Sequence, residues 1–249
     1  MKNQAVELGA INAGEIAGKL EVEGVLPEAE TIMAAREVEI SEINNVHAHV
    51  CHVSAKETIR LIRDAKKRGV SVTCETCPHY YSFTVEEVLT SGANAKMNPP
   101  LREEEDKKEV IEGLKDGTID CIITDHAPHA EEEKQGELSK TPNGIVGFET
   151  ALAATITNLV DKGYISYMDM VKLTSYNPAR ILGIDKGEIK EGKIADITIF
   201  DPNMEYVYQK EDIVSKSKNT PWIGKTLKGK VCYTIVNGKV VYECECRCK

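Results

Sequence analysis

VHAHVCHVSAKETIRLIRDAKKRGVSVTCETC, residues 46–77, is the stretch that decides the fold class. Residues 46–53 form a short aliphatic run that predicts a strand. Residues 55–68 are amphipathic with a helical period and end at Gly69, which predicts a helix stopped by that glycine. Residues 70–77 predict a second strand. Strand, helix and strand in that order argue for parallel strands joined by a helical crossover.

Working outward, the same rhythm continues. Helices are expected at 28–43, 84–91, 102–116, 149–162 and 167–174, and strands at 94–97 and 119–125. Beyond about residue 183 the texture changes to strands separated by Gly-bearing turns, with Asn237-Gly238 a strong hairpin signal between two aliphatic runs. Only about four βα units are countable, whereas a closed (β/α)8 barrel needs eight and typically about 250 residues. The expected class is therefore α/β, as an open sheet or as part of a barrel, with a small β-rich element behind it.

The 249 residues are 41% hydrophobic with a formal net charge of −9. No long basic cluster is present, which argues against nucleic acid or an anionic membrane as a partner. No apolar run approaches a membrane span, and residues 1–20 have no signal-peptide core, so a cytoplasmic location is the expectation. In that compartment the eight cysteines are expected as thiols. Cys51 and Cys121 read as core packing. Cys74 and Cys77 are three apart on a strand and so face opposite ways, which weighs against a redox or zinc pair. The tail CECRCK puts three thiols on one strand face, but an exposed, frayed end is the expectation.

All six histidines fall between His47 and His129. In HAHVCHVS, strand parity separates His52 from His47 and His49, and His52 stands at the C-terminal end of its strand, where barrel enzymes place their chemistry. His52 is the preferred metal ligand; His47 and His49 read as packing or hydrogen-bonding residues, against the alternative of an HxH metal pair. In TDHAPH, Asp125 ends a strand before a Pro-fixed turn, positioned to complete a metal site or move a proton. Asn98, before Pro99-Pro100, offers an amide for a carboxylate or cyclic amide; a plain turn is the alternative. His79 in CPHYY reads as structural.

Taken together, TDHAPH, NPPLR, HVCHVS, PNGIVGFETAL, NPARILG, GKIADITIFDP and SKSKNTPWIG resemble the bacterial dihydroorotases of the amidohydrolase superfamily along essentially the whole chain. The resemblance implies a (β/α)8 barrel with a metal centre at its mouth. On it, residues 1–182 are the C-terminal half of the barrel and 183–249 a small β-sandwich segment. His52 matches a metal ligand after the sixth strand. Asp125 matches a metal ligand and general base after the eighth. Asn98, His129, Asn143 and Gly144 match substrate-contacting positions. The family's opening HxH motif, bridging carboxylate and further His have no match, so the chain is expected to lack the N-terminal half and to be inactive alone.

The implied reaction interconverts N-carbamoyl-L-aspartate and dihydroorotate in pyrimidine synthesis, with one or two zinc ions per complete site. Homo-oligomerisation, or association with the missing half or with aspartate transcarbamoylase, would follow from the same resemblance. Two alternatives stand beside it: a hydantoinase, dihydropyrimidinase or allantoinase, and a non-catalytic homologue acting as a scaffold.

Overall fold

Short runs of Val, Cys, Thr and Ile pair as parallel strands where amphipathic helices carry the chain back over the sheet. The computed structural model describes residues 9–244. It divides into two units. One runs to Glu149 and takes in Ile213–Pro221; the other is Thr150–Asp212 with the chain from Trp222 onward.

In the first unit β1 (Ile11–Asn12) pairs in parallel with β2 (Gly24–Val25), with the short helix α1 (Glu15–Lys19) between them. Helix α2 (Glu28–Asn44) follows. Next come β3 (Ala48–Val50), α3 (Lys56–Lys67) and β4 (Val72–Thr76); a short helix α4 (Pro78–Ser82), α5 (Val88–Ser91) and α6 (Glu104–Lys115) lead to β5 (Cys121–Ile122). The sheet order is β3-β4-β5, all parallel, as the 46–77 stretch predicts. Helix α3 buries Thr58, Ile59, Ile62 and Ala65, and Gly113 of α6 lets the two helices close over Ile59 and Ile119. Fully burying Ile59 and Ile62 contributes roughly 1.5–3 kcal/mol each.

The expected strand at 94–97 is not formed. Gly92–Ala95 is a tight helical turn, and the chain runs irregularly into the Asn98–Pro99 turn. The Lys96 N–H is turned back onto the Ala93 carbonyl (3.0 Å) and is not available to a ladder. Cys51, expected in the core, is exposed, while Cys121 is buried.

In the second unit, α7 (Ala151–Thr155) widens into a π-turn at Ile156–Val160. The helix α8 (Tyr167–Val171) does the same before α9 (Asn177–Ile181). An antiparallel sheet of β6 (Ile197–Val207), β7 (Thr226–Val236) and β8 (Lys239–Glu243) completes the unit. Asn237 and Gly238 both take positive φ (51° and 75°), as a two-residue hairpin with the strands' own twist requires. Cys232 and Cys244 are disulfide-bonded, which corrects the expectation that every cysteine is a thiol. The β7–β8 pairing brings them together: the Cys244 N–H donates to the Cys232 carbonyl at 2.8 Å. Cys246 and Cys248 of the tail lie outside the described residues.

Candidate metal and substrate site

The C-terminal ends of the three adjacent parallel strands converge, because parallel pairing puts all three ends at one edge of the sheet. His52 follows β3 by two residues, Cys77 follows β4 directly, and Asp125 follows β5 by three. His52 and Asp125 both sit in left-handed backbone (φ 40° and 44°). That conformation costs a non-glycine residue on the order of 1 kcal/mol or more. It also means that strand alternation does not set the direction of His52, contrary to the parity reading. The surrounding ladder holds both residues in place: Val53 N–H donates to Glu75 O (2.8 Å), Thr76 Oγ1 to Val53 O (2.9 Å) and Ile123 N–H to Thr76 O (2.9 Å).

His79, on α4, joins this group. Donor atoms of Cys77, His79 and Asp125 lie within 4.8 Å of one another, and His52 bears electrostatically on both His79 and Asp125. Burial, and then the neighbouring His52, hold the His79 imidazole neutral, with a pKa pushed down to about 3. Burial raises the Asp125 carboxyl above its ordinary range; His52 opposes the shift and Glu75 adds to it. His52 Nδ1 and His79 Nε2 are buried with no hydrogen-bond partner among the described residues. Buried polar atoms are seldom left in that state. Two imidazoles, a carboxylate and a thiol form a donor set suited to a borderline divalent ion such as zinc. The residues present therefore fit the metal that the sequence implies, with His79 and Cys77 as donors that sequence reasoning passed over. Its only available signal was the clustering of every histidine in one third of the chain.

The turn that carries His52 is fixed from behind. Glu30 Oε1 accepts from the Ser54 and Ala55 N–H groups (2.9 and 3.0 Å), and Glu30 Oε2 from Ser54 Oγ (2.5 Å). Asp106 Oδ1 accepts from the Lys56 N–H (2.9 Å). These carboxylates cap α3, whose own residue Ala55 cannot. Buried Arg102, the arginine of NPPLR, ties Glu30, Ser54 and Asn12 together.

The expected substrate-contacting residues come together in part. His129 Nε2 lies 2.8 Å from the Asn143 carbonyl, so the Asn143-Gly144 dipeptide and His129 share one neighbourhood. Gly144 has φ +154°, and a Cβ there would lie 2.6 Å from Ala127 O and 2.7 Å from the His129 ring, so no larger residue fits. Asn219, within SKSKNTP, donates to Ala127 O and Gly144 O (2.9 Å each) and accepts from the His129 N–H. Lys96 grips the Leu138 and Thr141 carbonyls at 2.6 Å, and Lys134 those of Pro142 and Gly144. Asn98 is exposed; its turn is anchored by Tyr80, whose hydroxyl donates to Pro99 O at 2.7 Å. Among the described residues no hydrogen bond joins Asn98 to His129.

The other histidines are engaged elsewhere. His126 accepts from the Gly147 and Phe148 N–H groups and stacks on the Phe148 ring. His47 and His49 hydrogen-bond to Ser71, Thr73 and Glu75 on the sheet.

The amidohydrolase family profile matches residues 15–241. Among curated proteins, the dihydroorotase of Clostridium acetobutylicum is 46% identical over 233 residues, 94% of this chain and 55% of that one. The dihydroorotase of Acetivibrio thermocellus is 49% identical over the same shares. Among solved structures, the dihydropyrimidinase from Brevibacillus agri NCHU1002 superposes with a TM-score of 0.82 at 28% identity, covering 87% of this chain and 49% of its own. The L-hydantoinase from Arthrobacter aurescens gives 0.81 at 31% identity, covering 84% and 48%. The chain thus spans about half the length of the relatives that it matches.

Proposed function

The chain belongs to the amidohydrolase family, and from that we propose that it carries the dihydroorotase-type machinery for opening and closing a cyclic amide. In this reading β3, β4 and β5 are the last three strands of a (β/α)8 barrel and the antiparallel sheet is part of its β-rich appendage. The substrates are N-carbamoyl-L-aspartate and dihydroorotate, in pyrimidine synthesis in the cytoplasm. Association with a polypeptide supplying the rest of the barrel, with a second copy, or with aspartate transcarbamoylase belongs to the same proposal.

The observation that carries the hydrolytic reading is the pair of unpartnered buried imidazole nitrogens, His52 Nδ1 and His79 Nε2, beside Asp125. His52 and Asp125, with His79 and Cys77 as further donors, would hold zinc. When bound, the ion supplies Lewis-acid polarisation of the ring carbonyl and lowers the pKa of water from 15.7 toward about 7. Asp125 accepts the proton of the attacking water and returns it to the leaving ring nitrogen. One carboxylate serves both transfers because they occur in sequence. Burial that raises the Asp125 pKa makes it a better proton acceptor than a solvated carboxylate. His129 and Asn98 would orient the substrate carboxylate and ring, with Asn143 and Gly144 lining the pocket beside His129.

The choice of dihydroorotate over hydantoins rests on the relatives: 45–49% identity to dihydroorotases, against 25–31% to the hydantoinase and dihydropyrimidinase structures. The test is turnover of dihydroorotate, dihydrouracil and hydantoin with added zinc. The chain is assayed alone and with the remaining part of a dihydroorotase supplied as a second polypeptide. Preference for dihydroorotate, lost by roughly a hundredfold or more in Asp125→Asn, is expected. Preference for an uncharged ring, or near-parental turnover in Asp125→Asn, would sink the reading.

A further inference from the structure

A second set of metal-type donors lies on the face of the same sheet, and nothing in the proposed reaction uses it. Parallel register places His49 of β3 opposite Thr73 of β4, and Glu75 of β4 opposite Cys121 of β5, so these side chains share one face. His49 Nε2 is 3.0 Å from Glu75 Oε2, and Cys121 Sγ is 4.0 Å from the same oxygen. Donor atoms of all three residues lie within 4.8 Å of one another. Cys51, the next residue on this face of the first strand run, has its thiol pKa raised by burial and then by the Glu75 charge.

We propose that His49, Glu75 and Cys121, with Cys51 as a fourth donor, form a binding site for a thiophilic divalent cation, distinct from the His52–Asp125 group. Three observations carry it. The first is composition: one imidazole, one carboxylate and two thiols are a zinc-type set, not a cluster of acidic residues. The second is spacing. A tetrahedral ion with bonds of about 2.0–2.3 Å needs neighbouring donors about 3.3–3.8 Å apart. The two separations from Glu75 Oε2, 3.0 and 4.0 Å, bracket that interval.

The third is orientation. The Thr73 hydroxyl lies 2.7 Å from His49 Nδ1 and 3.0 Å from His47 Nε2, and it has one proton to give. The contact on the far nitrogen holds the His49 ring with Nε2 turned toward Glu75, 3.0 Å from Oε2. An outer hydrogen bond on the far ring nitrogen is the usual support of a metal-bound histidine. Burial of Cys121, together with the Glu75 charge, keeps its thiol protonated, with a pKa of about 12. A bound divalent ion reverses that balance, and both thiols release their protons to solvent as sulfur–metal bonds form. Cys51 is exposed, so an ion has a path in.

The test begins with cobalt(II) titration of the full chain, stripped of metal, read by the sulfur-to-cobalt charge-transfer band. The band should appear and survive Asp125→Asn, which separates this site from the proposed catalytic one. Cys121→Ala and Glu75→Gln should each abolish the band or weaken affinity at least about tenfold. Thr73→Val, which leaves every ligand in place, should cost about 10–100-fold in affinity. A readout on the unaltered chain guards against misfolded variants: equimolar zinc should slow alkylation of Cys51 by about tenfold or more. Absence of the band, a band untouched by Cys121→Ala, or Cys51 alkylated at the same rate with and without zinc would each overturn the site. Any of these would leave the four side chains as a hydrogen-bond network only. The dihydroorotate reading stands or falls separately, on turnover.

Discussion

Two turns of the first unit flank the candidate site, and they are held by opposite chemistry. The turn after His52 is gripped by carboxylates: Glu30 and Asp106 accept from three successive backbone N–H groups at the start of α3. The stretch 138–144 is gripped by ammonium groups: Lys96 and Lys134 donate to four backbone carbonyls. The difference follows from what each backbone leaves unpaired. A helix start exposes donors and needs acceptors, whereas a loop with inward carbonyls needs donors. The carboxylate clamp is closed by buried Arg102, whose charge is matched by Glu30. Among the described residues neither lysine pairs with a carboxylate, and burial pushes both of their pKa values down. One clamp is therefore charge-paired, and the other holds two desolvated ammonium groups.

The largest break in that comparison is expected from Glu30→Ala. It strands the Ser54 and Ala55 N–H groups and leaves the Arg102 guanidinium, only 2% exposed at its side chain, without its counter-ion. Removing one partner of a buried pair costs about 3–5 kcal/mol. Chemical denaturation should register that loss, and the His52 turn should exchange its amide protons faster. Arg102→Met in the same background should recover part of it, because the unpaired charge is gone. A Glu30→Ala chain as stable as the parent would show that the α3 start is capped by water instead.

A smaller effect is expected from Lys96→Met. The Leu138 and Thr141 carbonyls lose a donor at 2.6 Å each, but the loop is near the surface and water can reach part of it. The cost should be about 1–3 kcal/mol. It should appear as increased protease sensitivity within residues 135–144 more than as global unfolding. Uniform destabilisation without loop cleavage would mean that Lys96 supports the core.

The sequence made one side of each clamp legible. The period-2 and period-3.6 patterns of residues 46–77 set the strands, the crossover helix and hence the edge where His52 and Asp125 emerge. What escaped were residues whose role depends on partners far along the chain. Glu30 looks like any helix-surface acid until Ser54 folds onto it, and Lys96 and Lys134 look like solvated charges. His79 reads as structural in CPHYY, because nothing local shows that its imidazole ends near Asp125. Strand parity also failed for His52, since a left-handed residue breaks the alternation on which parity depends. The 94–97 strand failed for a local reason: Gly92–Ala95 closes as a tight helical turn, and the Lys96 N–H bonds back to Ala93 O.

The finest prediction concerns pH and the lysine clamp alone. Lys134 is buried and its pKa is pushed down to about 8, first by desolvation and then by the nearby Lys96 charge. An unfolded lysine titrates near 10.5. Between about pH 8 and 10.5 the unfolded chain therefore binds this proton more tightly than the folded one. By linkage, this group makes folding progressively more favourable as pH rises through that window, and the gain is absent below pH 8. The neutral amine still donates to Pro142 O and Gly144 O, so the clamp keeps its shape while its charge is lost. Lys134→Met removes the titration, and Asn219 still donates to Gly144 O, so the change at neutral pH should be small. The measurement is the difference in Tm between the parent and Lys134→Met from pH 7.5 to 10. It should move steadily in the parent's favour above pH 8. A difference that stays flat across the window would mean that Lys134 titrates as a solvated lysine, and that the lysine clamp carries no desolvation cost to set it apart from the carboxylate one.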